Sequence, residues 1–227
     1  MKRNKKAFTL AEVSIAMAVI GIVATLILPL VVKNVQKLQT GPMLGRILEQ
    51  IETGNQNIIN LANSKYVATT GSYVDSLEVI DCADIGFNCT GTVAKNFIDI
   101  APAFWGLNTT DIPKEDVLPI KKLDGTSDNT DYYYVTATSV GATAETKRYK
   151  FKKLPAAVAI YHDKSDSNND HFIYIDLNGW DTMPNIAGKD IFVIGMDKAG
   201  DLHTFTSTEA GKMTKKIITD KFKVTYY

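Results

Sequence analysis

The strongest constraint on the fold is one long apolar segment near the N-terminus, residues 8–32. It contains 25 residues and a single charged side chain, Glu12. An α-helix rises about 1.5 Å per residue, so about twenty apolar residues cross the ~30 Å hydrocarbon core of a membrane. Residues 1–7 carry four basic side chains and no acidic one, and basic flanks stay on the cytoplasmic side. We therefore predict a single transmembrane helix with the N-terminus in the cytoplasm and the bulk of the chain outside.

Glu12 is the informative residue of this segment. A carboxylate inside a bilayer costs at least a few kcal/mol and usually has a partner or a function. Residues 8–32 contain no lysine or arginine, so the segment offers no side-chain cation. Cleavage between Ala7 and Phe8 would create an α-amine about one helical turn from Glu12. That amine could pair with Glu12 of the same chain or of a neighbouring chain.

The sequence KAFTLAE of residues 6–12, followed by the apolar segment, resembles the processing signal of type IV pilins and type II secretion pseudopilins. The resemblance implies that a prepilin peptidase cuts before Phe8, that the new amine is methylated, and that Glu12 guides subunit docking. Pro29 lies where many pilins carry a proline that loosens the helix. Ala7 is a departure, because the family usually has glycine before the cut.

Two other interpretations of residues 8–32 explain only the length of the segment or neither its length nor Glu12. A cleaved secretory signal has an apolar core of only about 7–15 residues, which is shorter than this segment. A plain signal anchor fits the length but gives no reason for Glu12. The pilin-type interpretation accounts for both the length and the carboxylate.

The helical pattern continues beyond the apolar segment, with one interruption at Gly41-Pro42, where we predict a kink or a short break. After it, apolar residues recur on one stripe, which we expect to pack on the domain's own sheet: Leu44, Ile47, Leu48, Ile51, Ile58, Ile59 and Leu61. We predict four parts: a leader (1–7), a transmembrane and filament-core helix (8–32), an amphipathic continuation of that helix (33–63) and a globular antiparallel β domain (64–227).

Strand candidates follow in the second half of the chain. Residues 197–201 have the composition of a hairpin turn, and the β-branched tail of residues 212–227 predicts a last strand. Strands that follow a single long helix indicate an α+β fold in which the helix packs on an antiparallel sheet, and the pilin resemblance implies the same layout. The candidate strands are residues 132–138, 149–151, 156–161, 172–176, 191–196 and 202–205.

Cys82 and Cys89 are the two cysteines of the chain. In an exported protein a close, isolated pair most often forms a disulfide. Zinc is the weaker alternative, because only two thiols exist and no histidine is near them in sequence.

Two polar stretches are candidates for a calcium site. Residues 163–170 are rich in oxygen ligands but match no fixed calcium spacing, so a solvated turn is favoured. The second stretch begins at Asp176 and extends to Phe192. We favour a structural turn there as well, built by Asx side chains and glycine, with calcium bound by Asp176, Asn178 and Asp181 as the alternative. We expect no other cofactor.

Enzymatic signatures are absent from the sequence: no nucleophile elbow, zinc-protease motif or phosphate-binding loop occurs. Net charge is zero, and no specific nucleic-acid partner is indicated. The expected function is that of a structural pilin or pseudopilin subunit. Its partners would be the prepilin peptidase, other subunits, an inner-membrane assembly platform and lipid, and its final place a periplasmic or cell-surface filament. The contrasting hypothesis is a single-pass anchored enzyme or sensor domain outside the cytoplasm.

Overall fold

The computed structural model describes residues 9–70, 80, 97–108, 120–126, 144–163, 171–179, 182 and 185–226. In these residues the elements follow one another as α1 (Leu10–Thr70), α2 (Phe97–Phe104), β1 (Ala144–Lys150), β2 (Ala157–Asp163), β3 (His171–Asp176), β4 (Ile191–Met196), β5 (Leu202–His203) and α3 (Glu209–Thr219). The chain divides into two compact units, Met1–Gln39 and Thr40–Tyr227, and each is described by itself.

The first unit is the apolar part of α1. Its large apolar side chains are exposed along the helix, from Leu10 to Leu38. The hydroxyls of Ser14 and Thr25 donate to backbone carbonyls of the same helix, those of Leu10 and Ile22, at 2.9 and 2.8 Å. Polar groups are thus satisfied within the helix, as a segment surrounded by lipid requires. Among the described residues this is the one helix long and apolar enough to cross a membrane.

The helix α1 continues through Gly41 and Pro42 without a break, so of the two predicted alternatives the short break is wrong and the kink stays a prediction. Pro42 lacks a backbone N–H and so removes one hydrogen bond of the helix. Because helix formation is cooperative, the turns on either side can maintain the helix. Gly41 has a packing role instead: a Cβ there would lie 1.8 Å from the carbonyl oxygen of Phe222. The helix also extends further than predicted: its end was expected near residue 63, and α1 ends at Thr70.

In the second unit α1 packs on the sheet through the predicted stripe. Most stripe residues are buried, and Leu44, Ile47 and Ile51 are fully enclosed. They share one core with side chains from four strands, among them Tyr149, Val158, Ile160, Ile173, Ile175, Phe192 and Ile194. Leu61 is the exception, because its side chain is 45% exposed. The packing of the stripe on the domain's own sheet is therefore confirmed.

Within the described residues the sheet has five strands in the order β1-β2-β3-β4-β5, and every neighbouring pair is antiparallel. Four strand candidates from the sequence match β2 to β5 closely, and residues 149–151 mark the end of β1. The hairpin turn at residues 197–201 is confirmed, with the Asp197 N–H donating to the Asp201 carbonyl at 3.1 Å. The candidate strand 132–138 lies outside the described residues.

The opposite face of the sheet has its own small core. Ala157, Ala159, Tyr174 and Val193 alternate along the strands with the residues that face α1, and they pack with Ile120, Ala187, Ile191 and Ala210. Alternation of this kind is expected when both faces of a sheet are covered.

Residues 209–219 form a helix and residues 220–226 have no strand, so the predicted last strand is wrong for the described part of the tail. Thr208 caps α3 by accepting a hydrogen bond from the Gly211 N–H at 3.1 Å. Residues at helical spacing are buried: Ala210, Gly211, Thr214 and Ile217. The Thr214 hydroxyl also accepts from the Val193 N–H of β4 at 3.0 Å. The β-branched residues of this segment favoured a strand only by propensity, which tertiary packing overrides.

A buried asparagine connects three elements of the second unit. Asn55 of α1 accepts a hydrogen bond from the Trp105 indole N–H at 2.8 Å, and its amide donates to the Gly200 carbonyl at 2.9 Å. Asn55 is fully buried, and so is Trp105 directly after α2. Satisfied polar networks of this kind specify one arrangement of the elements that they join.

Candidate functional site

The N-terminal end of α1 forms a capping box between Thr9 and Glu12. The Thr9 backbone N–H and hydroxyl both donate to Glu12 Oε2, at 2.8 and 2.9 Å. In return the Glu12 N–H donates to the Thr9 hydroxyl oxygen at 3.3 Å. This is the reciprocal arrangement that satisfies unpaired N–H groups at the start of a helix.

The capping box changes the account of Glu12 that sequence alone provides. The sequence offers no cation for this carboxylate, but Thr9 supplies two hydrogen-bond donors from one residue, three positions away. The motif [ST]-x-x-[DE], here Thr9 and Glu12, was the available signal for it. The positive end of the helix dipole also favours a carboxylate in this first turn. Glu12 is therefore held in the first turn of the helix, four positions after Phe8 in sequence; the predicted junction of Ala7 and Phe8 lies outside the described residues.

The second candidate site is the connection between β3 and β4. Asp176 ends β3 and accepts hydrogen bonds on Oδ1 from the N–H groups of Asn178 and Gly179, at 3.1 and 3.0 Å. Gly179 has φ of +90°, a conformation that glycine adopts without strain. These bonds define an Asx turn, as the favoured sequence interpretation predicts.

Asp190 completes this connection from the other strand. Its Oδ1 accepts from the Ile186 N–H at 2.5 Å, and its Oδ2 accepts from the Asn178 side-chain amide at 3.2 Å. Burial raises the pKa of Asp190 to about 7, the Ile186 hydrogen bond acts against this, and the nearby Asp176 carboxylate raises it further. Two carboxyl groups close together in a buried turn disfavour the charged form of at least one.

The sequence pattern places Asp190 within the predicted turn segment 176–192 but does not show that its carboxyl group lies beside Asp176 and Asn178. The usable signal was topological: β3 and β4 pair as neighbours, with Asp176 opposite Ile191. Residues that flank such a connection meet in space, so Asp190 lies beside Asp176 although fourteen positions separate them.

The calcium alternative concerns Asp176, Asn178 and Asp181, and the last of these lies outside the described residues. Within the described part of the chain, no group of three or more His, Cys, Asp or Glu side chains suited to a metal is found. Residues 164–170, Cys82 and Cys89 also lie outside the described residues, so the disulfide stays a prediction.

Comparison with known proteins identifies the N-terminal segment. Residues 2–28 match the family model described as the prokaryotic N-terminal methylation motif. This motif is the hallmark of the prepilin-type signal of type IV pilins and pseudopilins, so the resemblance drawn from residues 6–12 is confirmed. The motif points to structural pilin-type proteins. No curated protein and no solved structure matches the chain.

Proposed function

We propose that this chain is a structural subunit, a pilin or pseudopilin, of a type IV pilus-like or type II secretion filament. The observation that carries the proposal is the methylation motif at residues 2–28, placed on a helix whose large apolar side chains are exposed. A helix of this kind needs an apolar surrounding along its length, and lipid or a bundle of identical helices provides one.

In the proposed sequence of events, the helix first resides in the bacterial inner membrane with its N-terminus in the cytoplasm. A prepilin peptidase cleaves between Ala7 and Phe8, and the new amine is methylated. The assembly platform then moves the subunit from the membrane into a periplasmic or surface filament. Contacts between different faces of identical subunits produce an open filament when the rotation from one subunit to the next does not close into a ring.

Glu12 is the proposed docking group. The capping box with Thr9 places its carboxylate at the first turn of α1, near where the amine of Phe8 would be after cleavage. Inside a helix bundle, the amine of an adjacent subunit would neutralise this carboxylate, as a buried charge requires.

Mass analysis of the native N-terminus tests the proposal. Membrane and sheared fractions should contain a chain that starts at methylated Phe8. An intact N-terminus at Met1, in cells with an active prepilin peptidase, would contradict it and favour a membrane-anchored enzyme or sensor.

The two cysteines are proposed to form a disulfide after export, because the compartment is oxidising and the pair is close in sequence. Alkylation without prior reduction should leave Cys82 and Cys89 unlabelled. Quantitative labelling of both thiols in natively isolated protein would reject the bond.

A further inference from the structure

The net charge of zero results from three segments with strong and opposite charges. Residues 1–39 have six basic and one acidic side chain, a net charge of +5. Residues 40–208 have 14 basic and 22 acidic side chains, a net charge of −8, and residues 209–227 have five basic and two acidic side chains, a net charge of +3. The body of the second unit is therefore acidic, and its C-terminal segment is basic.

The basic residues of the C-terminal segment lie on the exposed face of α3. We name Lys212, Lys215 and Lys216 the basic strip, since they have the one-turn spacing that puts side chains on one face of a helix. All three are exposed, whereas the opposite face of α3 is buried against β4 and its surroundings. The strip is thus not needed to build the core.

The described residues around the strip compensate only part of its positive charge. Glu209 lies 3.8 Å from Lys212, a separation at which an exposed pair contributes little. Lys216 lies over the ring of Tyr226, 5.1 Å from its centroid. The other acid of the segment, Asp220, accepts a hydrogen bond from the Thr225 hydroxyl at 3.0 Å.

The lysines that follow the helix have acidic neighbours of their own. Lys221 and Lys223 line a groove of about 890 Å³, together with Arg46, Glu49 and Glu52 of α1. They are therefore not part of the strip, which has fewer acidic neighbours than Lys221 and Lys223 among the residues that the structure describes.

We propose that the basic strip on α3 is an interaction surface for the acidic body of a second copy of this chain. The carboxylates of residues 40–208 supply the complementary charge, and exposed examples among the described residues that lie outside this groove are Asp124 and Asp201. Two bodies with a net charge of −8 repel each other when packed side by side. A basic surface on one that meets carboxylates of the next offsets this repulsion.

A second copy fits the strip better than a nucleic acid or another polyanion does. Three lysines make a short surface, and the acidic body beside them would repel an extended polyanion. The proposed contact joins two different faces of identical chains, so it is heterologous. It requires two copies of the chain but neither cleavage at Phe8 nor a filament, and so it can be tested apart from the proposed function.

The test uses the purified full-length protein in detergent. Isotopically light and heavy protein are mixed at low ionic strength and treated with a carbodiimide, which joins amines to carboxylates that touch. Heavy–light peptide pairs should join Lys212, Lys215 or Lys216 to acidic residues of the body. Sedimentation should show that self-association weakens as salt is added, because salt screens exposed charges.

A matched pair of variants measures the contribution of the strip. K212E/K215E/K216E should raise the dissociation constant of self-association at least tenfold, as expected when several exposed pairs are lost and like charges replace them. The control K121E/K152E/K153E changes three other exposed lysines and makes the same change in net charge. It should leave the dissociation constant within about twofold, that is, within ~0.4 kcal/mol.

Three results would overturn the proposal. One is the lack of self-association or of heavy–light pairs from the strip in the unmodified protein. Another is an equal effect of the two triple variants. The third is binding of a labelled DNA duplex or of heparin that depends on the strip while self-association does not, which would assign the strip to a polyanion.

Discussion

The carbonyl oxygen of Phe222 occupies the position beside α1 that a side chain at Gly41 would need. A Cβ on Gly41 would lie 1.8 Å from this oxygen, far inside van der Waals contact. Phe222 itself has φ of +61°, and the preceding Lys221 has φ of +52°, so the backbone here adopts a conformation that non-glycine residues seldom take. Two strained residues and one glycine thus fix the C-terminal segment against the helix.

Replacement of Gly41 by alanine should therefore destabilise the second unit. In an exposed helix the same change stabilises by about 1 kcal/mol, because alanine is the better helix former, so the sign of the effect is diagnostic. Thermal unfolding of the full-length protein in detergent measures it. Gly21→Ala is the control, since nothing lies within 4 Å of a Cβ at that position. If Gly41→Ala were as stable as the control, the close approach of Phe222 would be wrong.

Asn55→Ala should cost on the order of 2–4 kcal/mol in the free energy of unfolding. The change leaves the Trp105 indole N–H and the Gly200 carbonyl without the partner they have on Asn55, and each buried unsatisfied group costs about 1–3 kcal/mol. Denaturant unfolding followed by tryptophan fluorescence is the suitable measurement. Asn57→Ala, an exposed site on the same helix, should change stability by less than about 0.5 kcal/mol.

Asp190 predicts a pH dependence of stability. Its pKa is raised from 3.8 to about 7 in the folded chain by burial, with the Asp176 carboxylate contributing, so between these values the folded state holds a proton that the unfolded state has released. The contribution of Asp190 is fully present below pH 3.8 and is lost as the pH rises through about 7. The loss is on the order of a few kcal/mol.

Asp190→Asn should remove this part of the pH dependence and raise stability at neutral pH. The asparagine Oδ1 can still accept from the Ile186 N–H, and a rotated Asn178 amide can present its oxygen to the new amide group. Melting temperatures between pH 4 and 8, compared with those of the exposed control Asp201→Asn, give the result. Parallel profiles for both variants and the unmodified chain would contradict the shifted pKa.

Added calcium distinguishes the two interpretations of the turn between β3 and β4. An Asx turn needs no metal, so millimolar calcium should leave the melting temperature unchanged. A calcium site would instead show a rise with added calcium, and the rise would shrink in Asp181→Asn, which changes a candidate ligand outside the Asx turn. Such a rise would replace the turn interpretation with the metal-site alternative.

Sequence periodicity predicts the helices and strands whose burial follows the same period. The prediction is incomplete where the local structure depends on contacts with residues far away in sequence. The stripe on α1 and strands β2 to β4 have the periods of 3.6 and 2 that their burial requires. At Gly41-Pro42 local chemistry predicts a kink or a short break, but Phe222, which requires the glycine, is 181 positions away. The tail has β-branched residues whose burial at helical spacing depends on β4. The hydrogen bonds of Asn55 with Trp105 and Gly200, and the position of Asp190 beside Asp176, are missed for the same reason, because these partners come from other parts of the chain.

Glu12→Val should separate membrane insertion from filament assembly. The variant removes the carboxylate of the capping box, so insertion becomes more favourable in energy. Processing should largely survive, because the proposed peptidase site is the basic flank with Ala7 and Phe8. Docking should fail, because the amine of an adjacent subunit loses its partner in a bundle of low dielectric. Removal of one member of a buried charged pair costs about 3–5 kcal/mol, which is several hundred-fold or more in the equilibrium for adding a subunit.

The contribution of the capping box itself is measured by Thr9→Val. Valine keeps the backbone N–H that donates to Glu12 but lacks the hydroxyl, which both donates to and accepts from Glu12. Loss of such a cap costs about 1 kcal/mol, so assembly should weaken by several-fold, less than in Glu12→Val, while Thr9→Ser keeps the hydroxyl and should assemble normally. The measurement is the ratio of processed protein in sheared filaments to that in the inner membrane, in strains that express one variant each. If Glu12→Val enters filaments at the level of the unmodified chain, Glu12 is not the docking group. If Thr9→Val enters filaments at the level of the unmodified chain and Glu12→Val does not, Glu12 docks without the help of the Thr9 hydroxyl. Its carboxylate is then positioned by the backbone N–H of Thr9 alone.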